Sequence, residues 1–148
     1  MKKYDFLLKQ IQSIVKSDLP FVSNLANTSA ILFQMKDVNW AGFYLFDGIK
    51  LFLGPFQGEV ACTTIPMGKG VCGTSAKERK TIIVDDVHLF DGHIACSTLS
   101  KSEIVVPLIQ DKKLVGVMDI DSPSYSRFKK EEVEFLEEVA HKLMKVYQ

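Results

Sequence analysis

Apolar positions along the first sixteen residues fall three to four apart, at Phe6, Leu7, Ile11, Ile14 and Val15, which predicts an amphipathic helix over about 2–16. A second helix is expected after Asp18-Leu19-Pro20, because Leu25, Ile31, Leu32 and Met35 repeat in the same way. The pattern then changes period. Trp40 to Phe46 is dense in aromatics, Asp47-Gly48 is a hairpin signal, and Lys50 to Phe56 completes a pair of strands. Further strands are expected at Ala61 to Ile65 and Thr81 to Val84, with a short helix from Gly70 to about Arg79 between them. Ser102 to Ile109 and Lys113 to Ile120 read as two strands joined by a tight turn at Asp111-Lys112. Pro123 ends that region. Glu131 to Val146 then closes the chain as a helix, with Val133, Leu136, Val139, Ala140 and Leu143 on one face.

Helices at both ends of a run of hairpins imply an α+β domain with a mostly antiparallel sheet, single over residues 1–148. No internal repeat, linker or low-complexity segment interrupts it. Only Asp85 to Lys101 lacks sustained periodicity, with Gly, His, Asp and Ser around a few apolar residues. Loops longer than ~12–15 residues are uncommon in compact domains unless they serve a function.

Composition narrows the function classes. The 47% hydrophobic and 24% charged shares are those of a soluble globular protein. A chain this long buries roughly 68–70% of its unfolded surface, so the fold needs no metal or disulfide staple. Lys+Arg and Asp+Glu are equal at 18 each, and no basic run appears. This balance argues against nucleic-acid and anionic-membrane partners, which select clustered positive charge. The start, Met1-Lys2-Lys3-Tyr4-Asp5-Phe6, is too polar for a signal peptide, and no stretch approaches the ~18 apolar residues of a membrane span. The three cysteines are an odd number without the spacing of a secreted disulfide framework. A cytoplasmic location is therefore expected, where thiols rest reduced.

Taken singly, Cys62, Cys72 and Cys96 each read as small buried hydrophobes. Cys96 stands apart because it lies in the irregular loop with His88 and His93, and a cationic neighbour lowers a thiol pKa. Both histidines also read as solvated loop residues. A zinc site is disfavoured: there is no C-x-x-C pair, and His93-x-x-Cys96 supplies at most half a site. The run Gly68-Lys69-Gly70-Val71-Cys72-Gly73 matches G-x-G-x-x-G in letters only. A dinucleotide site needs a parallel βαβ unit and an acid about 20 positions on, whereas Asp85 and Asp86 come too early. The glycines are expected to allow a tight turn into a helix whose N-terminus lowers the pKa of Cys72. Asp119 and Asp121 fall on one strand face, where like charges raise a pKa, and Glu103 is placed to reach them. Composition alone favours reading both aspartates as polar decoration of a strand end. Trp40, the sole tryptophan, is a core residue or the aromatic wall of a cationic or sulfonium-like ligand.

Several stretches together resemble one family. They are Asn39-Trp40-Ala41-Gly42-Phe43-Tyr44, Leu53-Gly54-Pro55-Phe56-Gln57-Gly58, Ala61-Cys62, Gly68 to Thr74, Gly92-His93-Ile94-Ala95-Cys96, Ser102 to Pro107 and Leu114 to Pro123. The resemblance is to the free methionine-(R)-sulfoxide reductases, stand-alone GAF-domain enzymes, and it covers essentially the whole chain. It implies a GAF-like α+β fold with a central six-stranded sheet, and free L-methionine-(R)-sulfoxide as substrate. It further implies Cys96 as nucleophile, Cys62 as its resolving partner and Cys72 as an auxiliary thiol. Trp40 and Tyr44 would wall the methyl-sulfoxide end, while Glu103, Asp119 and Asp121 would bind the amino group or protonate the oxygen. A cysteine sulfenic acid, then a disulfide recycled by a thioredoxin-like dithiol, would complete the cycle without a metal or tightly bound cofactor. Loop 85–101 would be the lid, and the resemblance admits a homodimer. Two departures stand out: Val60 where the family often has proline, and Ser97 where an acid is common. The alternatives are a GAF module that binds a small ligand, or a redox sensor, neither with turnover.

Overall fold

The computed structural model of the chain describes residues 2–92 and 99–148. After a short 3-10 turn, helices α1 (Asp5–Ile14) and α2 (Phe21–Leu32) precede strands β1 (Trp40–Phe46), β2 (Lys50–Gly58) and β3 (Thr64–Pro66). Helix α3 (Gly70–Glu78) leads to β4 (Ile82–Val84), β5 (Ser102–Gln110) and β6 (Lys113–Ser122), and α4 (Lys130–Val146) ends the chain. The six strands form one sheet in the order β3-β2-β1-β6-β5-β4, and every neighbouring pair is antiparallel. The expected α+β architecture with a six-stranded antiparallel sheet is what the chain adopts.

Side chains alternate across a pleated sheet, and here the two faces serve different ends. Ala41 and Phe43 of β1, Met118 and Ile120 of β6, and Ile104, Val106 and Leu108 of β5 form one face. They pack beneath α1, α2 and α4, through Ile11, Leu25, Leu32, Phe135, Leu136, Val139 and Leu143. The three-to-four spacing read in the terminal helices is this contact. The chain start is fastened to α4 by polar groups: the Tyr4 hydroxyl donates to Glu132, which also pairs with Arg127 and accepts from the Lys129 N–H. The opposite face carries Trp40 and Tyr44 of β1, Val117 of β6 and Val105 of β5, covered by α3. This second face holds the polar residues of interest.

One strand prediction shifts. The strand expected at Ala61 to Ile65 begins only at Thr64. The Trp40 indole N–H donates to the Glu59 carbonyl at 3.0 Å, and the Tyr44 hydroxyl donates to the Cys62 carbonyl at 2.8 Å. Side chains from β1 thus engage carbonyls that a ladder would otherwise use, and residues 59–62 run as a strap over the sheet. The β5–β6 turn sits where expected, with Asp111 and Lys112 at φ 51 and 66, as a tight hairpin demands.

Gly42 lies between Trp40 and Tyr44 on the polar face, at a register shift in the β1–β2 ladder. A Cβ there would lie 2.3 Å from Phe56 Cβ and 2.8 Å from its Cα, so backbone and not merely a flexible side-chain tip would have to move. Phe56 in turn stacks on Trp40 at 5.1 Å. Gly42→Ala should therefore destabilise the fold by about 1–3 kcal/mol and displace the Trp40 ring. Urea unfolding followed by the fluorescence of this single tryptophan measures both effects.

Candidate active site

A cleft opens on the polar face, at the end of the sheet where β5 begins and β6 ends. Register builds it. Glu103 on β5 stands opposite Asp121 on β6, which stands opposite Trp40 on β1. One pleat further, Asp119 stands opposite Gly42, which has no side chain to fill the space beside it. Helix α3 brings Cys72 over these strands, and Trp40, Tyr44, Ser100, Glu103, Asp119 and Asp121 line the same cleft. The expectation that both aspartates share one face, within reach of Glu103, holds in the structure.

Trp40 stacks on Phe56 at 5.1 Å and on Tyr44 at 6.1 Å, forming an aromatic wall held from behind by the hydrogen bonds to Glu59 and Cys62. Facing it, Glu103 and Asp119 are only 7% and 5% exposed, yet among the described residues no lysine or arginine pairs with either. Asp119 Oδ1 and Asp121 Oδ1 are buried with no hydrogen-bond partner among the described residues. Burial holds the Glu103 carboxyl well above the ordinary range, and the neighbouring charges of Asp119 and Asp121 push it further. Asp121 is raised for the same reasons, burial first and then Asp119. Burial and mutual repulsion therefore favour the protonated carboxylic acid form in the cleft more than water would.

Cys72 reverses one expectation. Its position in the first turn of α3 was expected to lower its thiol pKa through the helix N-terminus. Instead burial raises it well above the ordinary value, and Asp119, Glu103 and Asp121 raise it again. Desolvation among three acids outweighs a helix of nine residues. The Cys72 sulfur lies 4.0 Å from Glu103 Oε2. The glycine run does what its turn reading required: Gly68 and Gly70 take φ 81 and 63 and admit the chain into α3, beside an antiparallel sheet unsuited to a dinucleotide.

Cys62 is half-buried on the strap and disulfide-bonded. His88 is exposed, with its ring nitrogen Nδ1 3.1 Å from Asp86, which fits the solvated reading. Cys96 and His93, together with Ser97, lie outside the described residues. Ser100 was not anticipated as a cleft residue. It precedes β5 in the loop, and no local periodicity marks its direction.

Residues 22–146 match the model of the GAF domain. The chain is 45% identical to the free methionine-R-sulfoxide reductase of Escherichia coli (strain K12), across 99% of this chain and 91% of that protein. It belongs to this family of GAF-domain reductases. Among solved structures, the reduced form of fRMsr from Staphylococcus aureus superposes with a TM-score of 0.93 at 48% identity, covering 97% of this chain and 94% of that one. The free methionine-R-sulfoxide reductase of Neisseria meningitidis, solved in complex with its substrate, gives 0.92 at 46% identity, covering 97% and 87%. The family resemblance read from the sequence motifs is borne out. The chain is an oxidoreductase of the methionine sulfoxide reductase class.

Proposed function

We propose that the chain reduces free L-methionine-(R)-sulfoxide to L-methionine in this cleft, with Cys96 as nucleophile and Cys62 as the thiol that resolves it. The observation that carries this reading is the set of buried, unpaired acids facing an aromatic wall. A sulfoxide oxygen leaves poorly until protonated, and an acid with a raised pKa can supply that proton at neutral pH. The aromatic faces of Trp40 and Tyr44 suit a methyl-sulfur group that becomes sulfonium-like as the oxygen is protonated. The remaining negative charge suits the ammonium group of a free amino acid. High identity to relatives named for this activity supports the same substrate.

The Cys96 thiolate attacks the sulfoxide sulfur while a cleft acid protonates the oxygen. Methionine leaves, and the oxygen and two electrons' worth of oxidation stay on Cys96 as sulfenic acid. The Cys62 thiol condenses with it, forming a disulfide and releasing water. A thioredoxin-like dithiol then exchanges with that disulfide and restores both thiols. Cys72, whose thiol is held protonated among the acids, is auxiliary. The reading includes a single domain over residues 1–148, a reducing cytoplasmic setting and loop 85–101 as lid. It also admits a homodimer.

Single turnover without a reductant tests this directly. Reduced protein mixed with excess free R-sulfoxide should release one methionine per chain and lose two thiols, counted with a thiol reagent. Loss of thiols without methionine would favour a redox sensor, and neither change would favour a binding module.

A further inference from the structure

We propose that the base of the cleft is also a binding site for a thiophilic divalent cation of the zinc class, held by Cys72, Glu103 and Asp119. One ligand atom from each of these residues lies within 4.8 Å of the other two, and all three residues are buried. The thiol and the Glu103 carboxylate are 4.0 Å apart. Zinc bonds of ~2.3 Å to sulfur and ~2.0 Å to oxygen at tetrahedral angles place such ligands ~3.5 Å apart, so a small inward movement suffices. A second observation adds an oxygen outside this grouping, Ser100 Oγ. Asp119 Oδ1 and Ser100 Oγ are buried at the cleft without a hydrogen-bond partner among the described residues, and both residues are over nine-tenths buried. Buried oxygens of this kind require a partner, and a cation or its bound water supplies one.

Three further features support the assignment. Lys69, which is exposed, is the one lysine or arginine among the described cleft-lining residues, so little positive charge competes for the acids. Cys72 is a free cysteine, and one thiolate with two carboxylates is a donor set zinc accepts while leaving a fourth position toward the cleft. Binding would expel the thiol proton and the proton held on Glu103 to solvent and form metal–sulfur and metal–oxygen bonds, with no change of oxidation state. The site escapes motif reading because its ligands come from α3, β5 and β6, with Glu103 31 positions after Cys72 and Asp119 16 positions after Glu103. The cation would occupy the place proposed for the substrate's ammonium group, but the inference rests on the geometry and stands without the reductase reading.

The test uses the full chain with Cys62→Ser and Cys96→Ser, so that Cys72 is its one thiol. Cadmium should bind one per chain and give a thiolate-to-metal charge-transfer band in the ultraviolet. Adding Cys72→Ser should abolish the band and weaken zinc binding in calorimetry by at least about tenfold. Glu103→Gln, nearly isosteric, should weaken zinc similarly and covers the case in which the cysteine variant misfolds. Absence of the band, or zinc affinity unchanged by both substitutions, would overturn the site. These readouts need no turnover, so they remain decisive if the reductase assignment fails.

Discussion

Cys96→Ser should abolish turnover of free methionine sulfoxide, whereas Cys62→Ser should leave the first methionine release largely intact and slow every later cycle. The asymmetry follows from the proposed division of labour. Without the Cys96 sulfur there is no nucleophile, and a serine hydroxyl at neutral pH cannot replace a thiolate. Without Cys62 the sulfenic acid still forms, but it must await an external thiol. The strap explains why Cys62 is suited to resolving. The Tyr44 hydroxyl bond to its carbonyl anchors it beside the cleft, while the residue stays partly exposed to an incoming dithiol. Burst kinetics separate the steps: Cys62→Ser should show a stoichiometric burst followed by a slow phase, and Cys96→Ser no burst. Full steady-state activity in both variants would contradict the assignment.

Glu103→Gln should lower the turnover number by about 10²–10⁴-fold while raising thermal stability. The activity loss follows from removing the proposed proton donor, whose pKa is raised by burial and by the neighbouring aspartates. The stability gain follows from linkage. The folded-state pKa of Glu103 is raised, so its folded form binds the proton more tightly than the unfolded chain does. Such a group favours the fold below the unfolded pKa and loses that contribution as pH rises toward the folded pKa. At neutral pH the wild type therefore carries an unpaired buried acid that glutamine removes. The gain in Tm should be larger at pH 8 than at pH 5, at about 2–4 °C for each kcal/mol recovered. Scanning calorimetry at the two pH values checks the sign. Wild-type activity should fall on the alkaline side as the cleft acids lose their protons, and a Tm that drops equally at both pH values would show that Glu103 is structural.

Much of this architecture is legible because local and global preferences agree. The three-to-four spacing of Ile11, Leu25, Leu136 and Val139 places the helices, and Asp47-Gly48 and Asp111-Lys112 place the hairpins. Alternation on β6 places Asp119 and Asp121 together on a face, and the register with β5 brings in Glu103. Resemblance to the reductases, not spacing, singled out these acids as a site. What stayed hidden depends on contacts distant in sequence. The late start of β3 is set by Trp40 and Tyr44 reaching across to Glu59 and Cys62. The thiol of Cys72 is governed by acids on β5 and β6, so reading its helix position alone gave the wrong direction. Ser100 enters the cleft through loop geometry that no periodicity encodes.

The measurement closest to the central claim is consumption of NADPH by the full chain with thioredoxin and thioredoxin reductase, supplied with each diastereomer of free methionine sulfoxide and with a peptide-bound sulfoxide. The account predicts consumption with the free R form alone, dependent on Cys96. Equal use of the S form or of the peptide, or no consumption by protein with intact thiols, would contradict it.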